Sequence, residues 1–174
     1  EWITDNSYDF SFELEDGVYY WRVGVKDAAE NWPNQIDPQT EGNIGENSPT
    51  WWFRVDTLPP ENVWLENVWD DYDVGDEDVF AVQDGGMVSD NTPTFEWHLG
   101  VDNSLPILYR VQISRFPDFS ENYRLSPWTE NDNWECDYVP DNDYYWRVWA
   151  RDNAGNITVT GYWRIRVDTQ PPPV

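Results

Sequence analysis

A long internal repeat constrains this chain more than any other feature. Asp16-Gly17-Val18-Tyr19-Tyr20-Trp21-Arg22-Val23 returns as Asp141-Asn142-Asp143-Tyr144-Tyr145-Trp146-Arg147-Val148, an offset of 125 residues from Trp21 to Trp146. Asp27-Ala28-Ala29-Glu30-Asn31 returns at the same offset as Asp152-Asn153-Ala154-Gly155-Asn156. Val55-Asp56-Thr57-Leu58-Pro59-Pro60 returns as Val167-Asp168-Thr169-Gln170-Pro171-Pro172, at an offset of 112. The extra 13 residues of the first copy lie between Asn31 and Trp51, in a stretch of turn composition that reads as a long loop. Measured from one Asp-Thr-x-Pro-Pro to the next, the repeat is 112 residues long. Residues 58–169 then hold a whole copy, residues 1–57 only the second half of one, and residues 170–174 a Pro-rich start of the next. The Pro-Pro pair makes a natural joint, because proline cannot donate to a sheet ladder and stiffens an extended connection.

Within the copies the hydrophobic period is two. Phe95, Trp97 and Leu99 alternate with polar residues, as do Tyr109, Val111 and Ile113, then Trp134, Cys136 and Tyr138. Tyr144, Trp146, Val148 and Ala150 follow, and later Trp163, Ile165 and Val167. In the partial copy the inward sets are Tyr8, Phe10, Phe12 and Leu14, then Tyr19, Trp21, Val23 and Val25, then Trp51, Phe53 and Val55, roughly three strands. No stretch shows helical spacing with caps. Short alternating strands separated by Asn, Asp, Gly and Pro predict an all-β chain of tandem antiparallel β-sandwiches, the first of them incomplete.

Composition narrows the function. Ten Lys and Arg against 34 Asp and Glu leave a net charge of -24, which repels nucleic acid and anionic membrane surfaces and favours cations. Aromatic residues make up 17% of the chain, and burying those rings is what offsets chain entropy, so the acidity is not that of a disordered tail. No uninterrupted apolar run is long enough to span a bilayer. Cys136 is the single cysteine, so the chain forms neither an internal disulfide nor a thiolate metal cluster. The chain opens at Glu1 rather than Met, which reads as a mature or internal piece.

The segments TPTFEW, YRVQIS followed by DFSENY, DNDYYWRVWARDNAGN and VDTQPP resemble tandem fibronectin type III or immunoglobulin-like repeats of large prokaryotic surface proteins. The resemblance covers residues 58–172 and, as a half domain, residues 1–57. It implies a sandwich fold and a place outside the cell or on its surface. It does not select among spacers, adhesin stalks, filament subunits and enzyme accessories. The plain repeat lacks the acidic insertion at residues 66–82.

Catalytic chemistry is poorly supplied. His98 is the only histidine, and alternation turns it outward beside Glu96. Cys136 alternates inward with no histidine to activate it, the pattern of an inert buried thiol. With so many acids, a carboxylate pair at glycosidase spacing is expected by chance. No catalytic residue is assigned, and the chain reads as a non-enzyme.

The acidic insertion is the best metal candidate. Asp70, Asp71, Asp73, Asp76 and Asp78 offer the oxygen ligands that calcium takes from a flexible loop, although Gly75 falls one place early for an EF-hand. The plainer reading is a solvated acidic loop. Asp152-Asn153-Ala154-Gly155-Asn156 fits a tight hairpin turn with glycine left-handed. Asn156-Ile157-Thr158 is a sequon, which makes Asn156 a glycosylation acceptor in a cell with the machinery.

The outward faces of the last strands carry a different pattern. Tyr145, Arg147, Trp149 and Arg151 share one side, with Tyr162, Arg164 and Arg166 alongside. Tyr20, Arg22, Trp52 and Arg54 repeat this in the first copy. Arginine stacks on rings and grips carboxylates with two hydrogen bonds. Such a face is either a cross-strand ladder or a docking surface for acidic loops of a neighbouring repeat or a second copy, and exposed Trp also suits glycans. The half domain sharpens the second option, because three strands alone leave Trp21, Val23 and Phe53 in water, and each contributes about 1.5–3 kcal/mol when buried. Some further polypeptide must cover them, either in the same chain or by strand complementation. The expectation is an extracellular structural protein, a repeat unit of a stalk or fibre. The alternative is a carbohydrate-binding or adhesin module of a larger secreted protein.

Overall fold

Where apolar and polar residues alternate, a strand can bury one face and solvate the other. A computed structural model describes residues 4–5, 7–24, 49–70 and 80–171. It realises this alternation as an all-β chain with no helix among the described residues. Two compact units divide the chain, Glu1–Thr57 and Leu58–Val174.

Among its described residues the second unit holds two sheets. One orders β4 (Phe80–Val82), β3 (Trp64–Asp70), β6 (Thr94–His98) and β9 (Asn133–Glu135). The other orders β5 (Met87–Val88), β12 (Trp163–Val167), β10 (Asn142–Arg151), β7 (Leu108–Ser114) and β8 (Arg124–Leu125), with β11 (Ile157–Val159) also on β10. Pairing is antiparallel except between β5 and β12, which run parallel. Between the sheets lies one apolar core, in which Val68, Phe95, Trp97, Val111, Trp146, Val148 and Val167 are fully buried.

Strand β10 sets the pattern at the centre. Its inward set, Tyr144, Trp146, Val148 and Ala150, is buried without exception, and its outward set is half-buried. On β7 both faces are covered, so the outward Gln112 and Ser114 are buried beside the inward Tyr109, Val111 and Ile113.

Three expectations need correction. Leu99 is exposed because it lies past the end of β6 at His98, where the chain still bridges Glu61 through Val101 but no longer covers the core; at Gly100 an added Cβ would lie 2.6 Å from the Glu61 carbonyl oxygen. Tyr138 is exposed because the register shifts after Cys136: Cys136 N bonds the Pro93 carbonyl, but Val139 rather than Tyr138 bonds the Asn91 carbonyl and takes the buried place. The acidic insertion is shorter than 66–82, since residues 66–70 belong to β3 and 80–82 to β4. A bulge between Leu65 and Asn67 lets β3 bury both Leu65 and Val68, three residues apart, which a regular strand cannot do.

Among its described residues the first unit contains two strands, β1 (Gly17–Trp21) and β2 (Trp51–Val55), paired antiparallel as a ribbon. The alternating segment 7–14 forms no strand, so the expected third strand is missing among the described residues, and Val25 lies outside them. Along the inward set Trp21 is 47% exposed, Val23 56% and Trp51 58%, and the 7–14 segment leaves Tyr8, Phe10 and Phe12 at 50–62%.

Candidate functional site

Both units place the repeated residues in one register. Gly17 pairs with Val55, Tyr19 with Phe53 and Trp21 with Trp51. Asn142 pairs with Val167, Tyr144 with Ile165 and Trp146 with Trp163. These are the same pairs moved by 125 and 112 residues. Two side-chain devices accompany the register. The Tyr19 hydroxyl donates to the Glu15 carbonyl at 2.8 Å, and the Tyr144 hydroxyl donates to the Pro140 carbonyl at the same distance. Asp16 Oδ1 accepts from Thr57 N at 3.1 Å and Oγ1 at 2.9 Å. Asp141 Oδ1 accepts from Thr169 N and Oγ1 at the same distances. The aspartate that opens each hairpin thus clamps the threonine that closes it.

The clamp has a pH signature. The Thr169 amide, then its hydroxyl, hold the Asp141 carboxyl below its ordinary value. A depressed folded-state value stabilises the fold above the unfolded value of about 4 and loses that contribution as pH falls through the folded one. The difference in melting temperature between wild type and Asp141→Ala is therefore fully present above about pH 4 and shrinks below it. Melting curves from pH 2 to 7 check this.

The aromatic-arginine face of the second unit is assembled as the alternation predicts. Arg147 Nε donates to Gln112 Oε1 at 2.7 Å, and Trp149 Nε1 donates to the same oxygen at 2.9 Å. Gln112 Nε2 donates in turn to Asn122 Oδ1. The Arg147 guanidinium lies 4.0 Å from the Phe119 ring centroid and 5.3 Å from that of Trp149. Burial lowers its pKa. Arg151 and Arg110 flank the Trp128 ring at 4.5 and 4.6 Å. Tyr162 meets Tyr145 edge-on at 5.7 Å and Phe119 at 6.0 Å. Arg164 pairs with Asp143 at 3.0 Å, and Arg166 lies 3.6 Å from Asp168.

Pattern reading missed the residues that line this face from elsewhere, namely Gln112, Phe119, Asn122 and Trp128. Phe119 and Trp128 sit in loops where no period applies. Gln112 alone left a signal, as the outward residue of β7 opposite Arg147. Phe119 holds φ at 54°, in the left-handed region that a bulky residue rarely enters, and its ring there covers both Arg147 and Tyr162.

The equivalent face of the ribbon differs. Tyr20 and Trp52 are direct cross-strand partners at 72% and 66% exposure, and Arg22 and Arg54 are exposed as well. On the inner side Tyr19 stacks on Phe53 at 5.6 Å and Trp21 on Trp51 at 6.4 Å.

Of the metal candidates, Asp70 is described, and Asp71, Asp73, Asp76 and Asp78 lie outside the described residues. Asp70 accepts from Ser89 N, Ser89 Oγ and Asp90 N, which ties the end of β3 to the loop after β5. The Asp152 turn forms as its spacing predicts. Gly155 has φ of 99°, and Asp152 Oδ1 accepts from Gly155 N and Asn156 N. The sequon amide of Asn156 is half-buried and donates to Asp152 Oδ2 at 2.8 Å. His98 stacks on Trp64 at 3.6 Å and contacts the Asn62 carbonyl through Nδ1. The neighbouring Glu96 accepts from Asn67 and from the Trp69 indole.

Cys136 is buried, and desolvation pushes its thiol up to about 12. Only the thiolate is nucleophilic, so a disulfide reagent at pH 8 leaves the native protein unlabelled and labels one thiol after denaturation. Rapid labelling of the native chain would contradict the burial.

No protein-family model and no curated protein matches the chain.

Proposed function

We propose that this chain is a non-enzymatic extracellular structural protein, a repeat unit of a surface stalk or fibre built head-to-tail from immunoglobulin-like or fibronectin type III-like sandwiches. One observation carries the reading: two hairpins share register, tyrosine hydrogen bond and Asp-Thr clamp, yet one has its inner face buried in a core and the other has it exposed. A tyrosine whose hydroxyl returns to the backbone a few residues upstream is a device of sandwich domains of this type, and it stands in both copies. A half domain that needs another polypeptide is suited to assembly. The Asp-Thr clamps close each hairpin just ahead of the prolines.

Electron microscopy of the native material tests this directly. Fibres or regular stalks support the proposal. Strictly monomeric particles at high concentration count against it. The chain's partners under this reading are adjacent repeats or further copies of itself.

A second reading, a carbohydrate-binding or adhesin module, is favoured by the Tyr20–Trp52 pair, two exposed rings side by side on the ribbon. Trp149 is the weaker candidate for a sugar platform because its indole is committed to Gln112. Glycan binding lost on Trp52→Ala and kept on Trp149→Ala would favour this reading. Calcium in the acidic insertion belongs to either reading, and a melting temperature unchanged by chelator would remove it.

A further inference from the structure

The exposed side of the ribbon has an internal template. In the second unit, β10 is flanked on one edge by β12 and on the other by β7. The β10–β7 register places Trp146 opposite Ile113, Arg147 opposite Gln112 and Val148 opposite Val111. Strand β12 carries β5 on its far edge, with Arg166 beside Met87 and Val167 beside Val88. Across the face, Phe95 of the other sheet lies 4.9 Å from Trp146. In the first unit β1 has β2 on one edge, and no described strand stands on the other edge of β1 or on the far edge of β2. Trp21 and Trp51, the counterparts of Trp146 and Trp163, stand half-exposed.

We infer that the inner face of the β1–β2 ribbon, together with the two edges on which no described strand stands, binds one occupant, a repeat half with the pattern of residues 58–125, joined ahead of the ribbon in the same polypeptide. A strand patterned as Leu108–Ser114 pairs with the edge of β1 away from β2, setting an Ile113-like residue opposite Trp21 and a Gln112-like residue opposite Arg22. A short strand patterned as Met87–Val88 runs parallel to β2. A sheet patterned as β3 and β6 closes over Trp21 and Trp51. Connection in the same polypeptide follows from the complete copy, where the covering strands are those that directly precede β10 in sequence. A second copy is poorly placed as donor, because its own 58–125 strands already enclose Trp146. This inference rests on the repeat reading above and specifies the partner of the ribbon.

The test is a chain extended at Glu1 by a further copy of residues 58–125, which continues into residue 1 in the 125-residue register. Hydrogen exchange is followed by peptide in the extended and unextended chains. Amides of β1 and β2 are expected to slow by on the order of 100-fold or more in the extended chain, as edge strands become central ones. Trp21→Glu is expected to abolish that gain and to leave the exchange of residues 142–148 unchanged in both chains. Unchanged exchange of β1 and β2 in the extended chain, with residues 142–148 still protected as the internal control, overturns the inference. Ribbon protection that rises with the concentration of the unextended chain identifies a second copy as the occupant and also overturns it. Protection gained in a protein that forms no fibres would sink the fibre reading alone. Fibres from a chain whose extended form gains no protection would sink this inference alone.

Discussion

Trp146→Ala is expected to destabilise the 58–171 unit by about 3–5 kcal/mol, lowering its melting temperature by on the order of 15–25 °C. Trp146 is fully buried, with Phe95 at 4.9 Å and Trp163 edge-on at 5.9 Å, so truncation opens a cavity between two sheets that cannot collapse onto it. Its indole N–H has no hydrogen-bond partner among the described residues. Trp146→Phe therefore forfeits volume but no hydrogen bond, and recovers much of the loss. The counterpart substitution Trp21→Ala is expected to change the stability of its own unit by no more than about 0.5 kcal/mol, the range of surface changes. The two tryptophans occupy one place in the repeat, and cover alone separates them. Calorimetry of the three variants reads this contrast. Equal costs for Trp21→Ala and Trp146→Ala would contradict it.

The second large effect concerns the aromatic-arginine face. Gln112→Ala is expected to cost about 2–4 kcal/mol, because it strands the Arg147 and Trp149 donors in a half-buried site where water replaces the lost acceptor poorly. Gln112→Glu keeps an acceptor and gives Arg147 a charged partner, so it should cost less than Gln112→Ala. Chemical denaturation measures both. A face held in reserve for a partner would show the opposite pattern, with Gln112→Ala leaving stability intact. The expected loss would make the face of the second unit a cross-strand ladder roofed by loop residues, which is the arrangement its contacts to Gln112, Phe119 and Trp128 favour. On the ribbon the matching Tyr20, Arg22, Trp52 and Arg54 are exposed rather than half-buried.

How much of this was legible in the sequence differs from segment to segment, for physical reasons. The Tyr144–Ala150 set was readable because β10 is central, and a strand paired on both edges keeps its period throughout. Leu99 and Tyr138 were misassigned because alternation was carried past the end of the core in one case and past a register shift in the other, and period alone marks neither. The bulge at residues 65–67 breaks the period while preserving burial, so Leu65 and Val68 never appeared as one inward set. Residues 8–14 alternate without forming a strand. Their second-copy counterparts around Asn133–Glu135 pair with β6, and no described strand stands in that place beside the ribbon.

At the candidate site, the face itself was legible from spacing on β10. Its cover was not, because Phe119 and Trp128 arrive from loops and Gln112 is polar in a buried place. A buried amide is tolerated there only because each of its polar ends meets a partner, a property of three-dimensional arrangement that no period encodes. The Asp-Thr clamps illustrate the converse. Asp16 and Asp141, Thr57 and Thr169 were visible as repeated letters, but their bonding joins residues 41 and 28 positions apart.

The account turns on the ribbon being one half of a core whose other half lies elsewhere. An isolated two-stranded ribbon is marginally stable in water, whereas the same register inside a sandwich is held by the whole unit. Amide exchange of β1 against residues 142–146, in the intact chain at low micromolar concentration, measures that difference most directly. The account predicts that β1 exchanges faster by on the order of 1,000-fold or more, despite the shared sequence and register. Equal protection of the two segments would mean that the first unit already encloses its own core, and would contradict it.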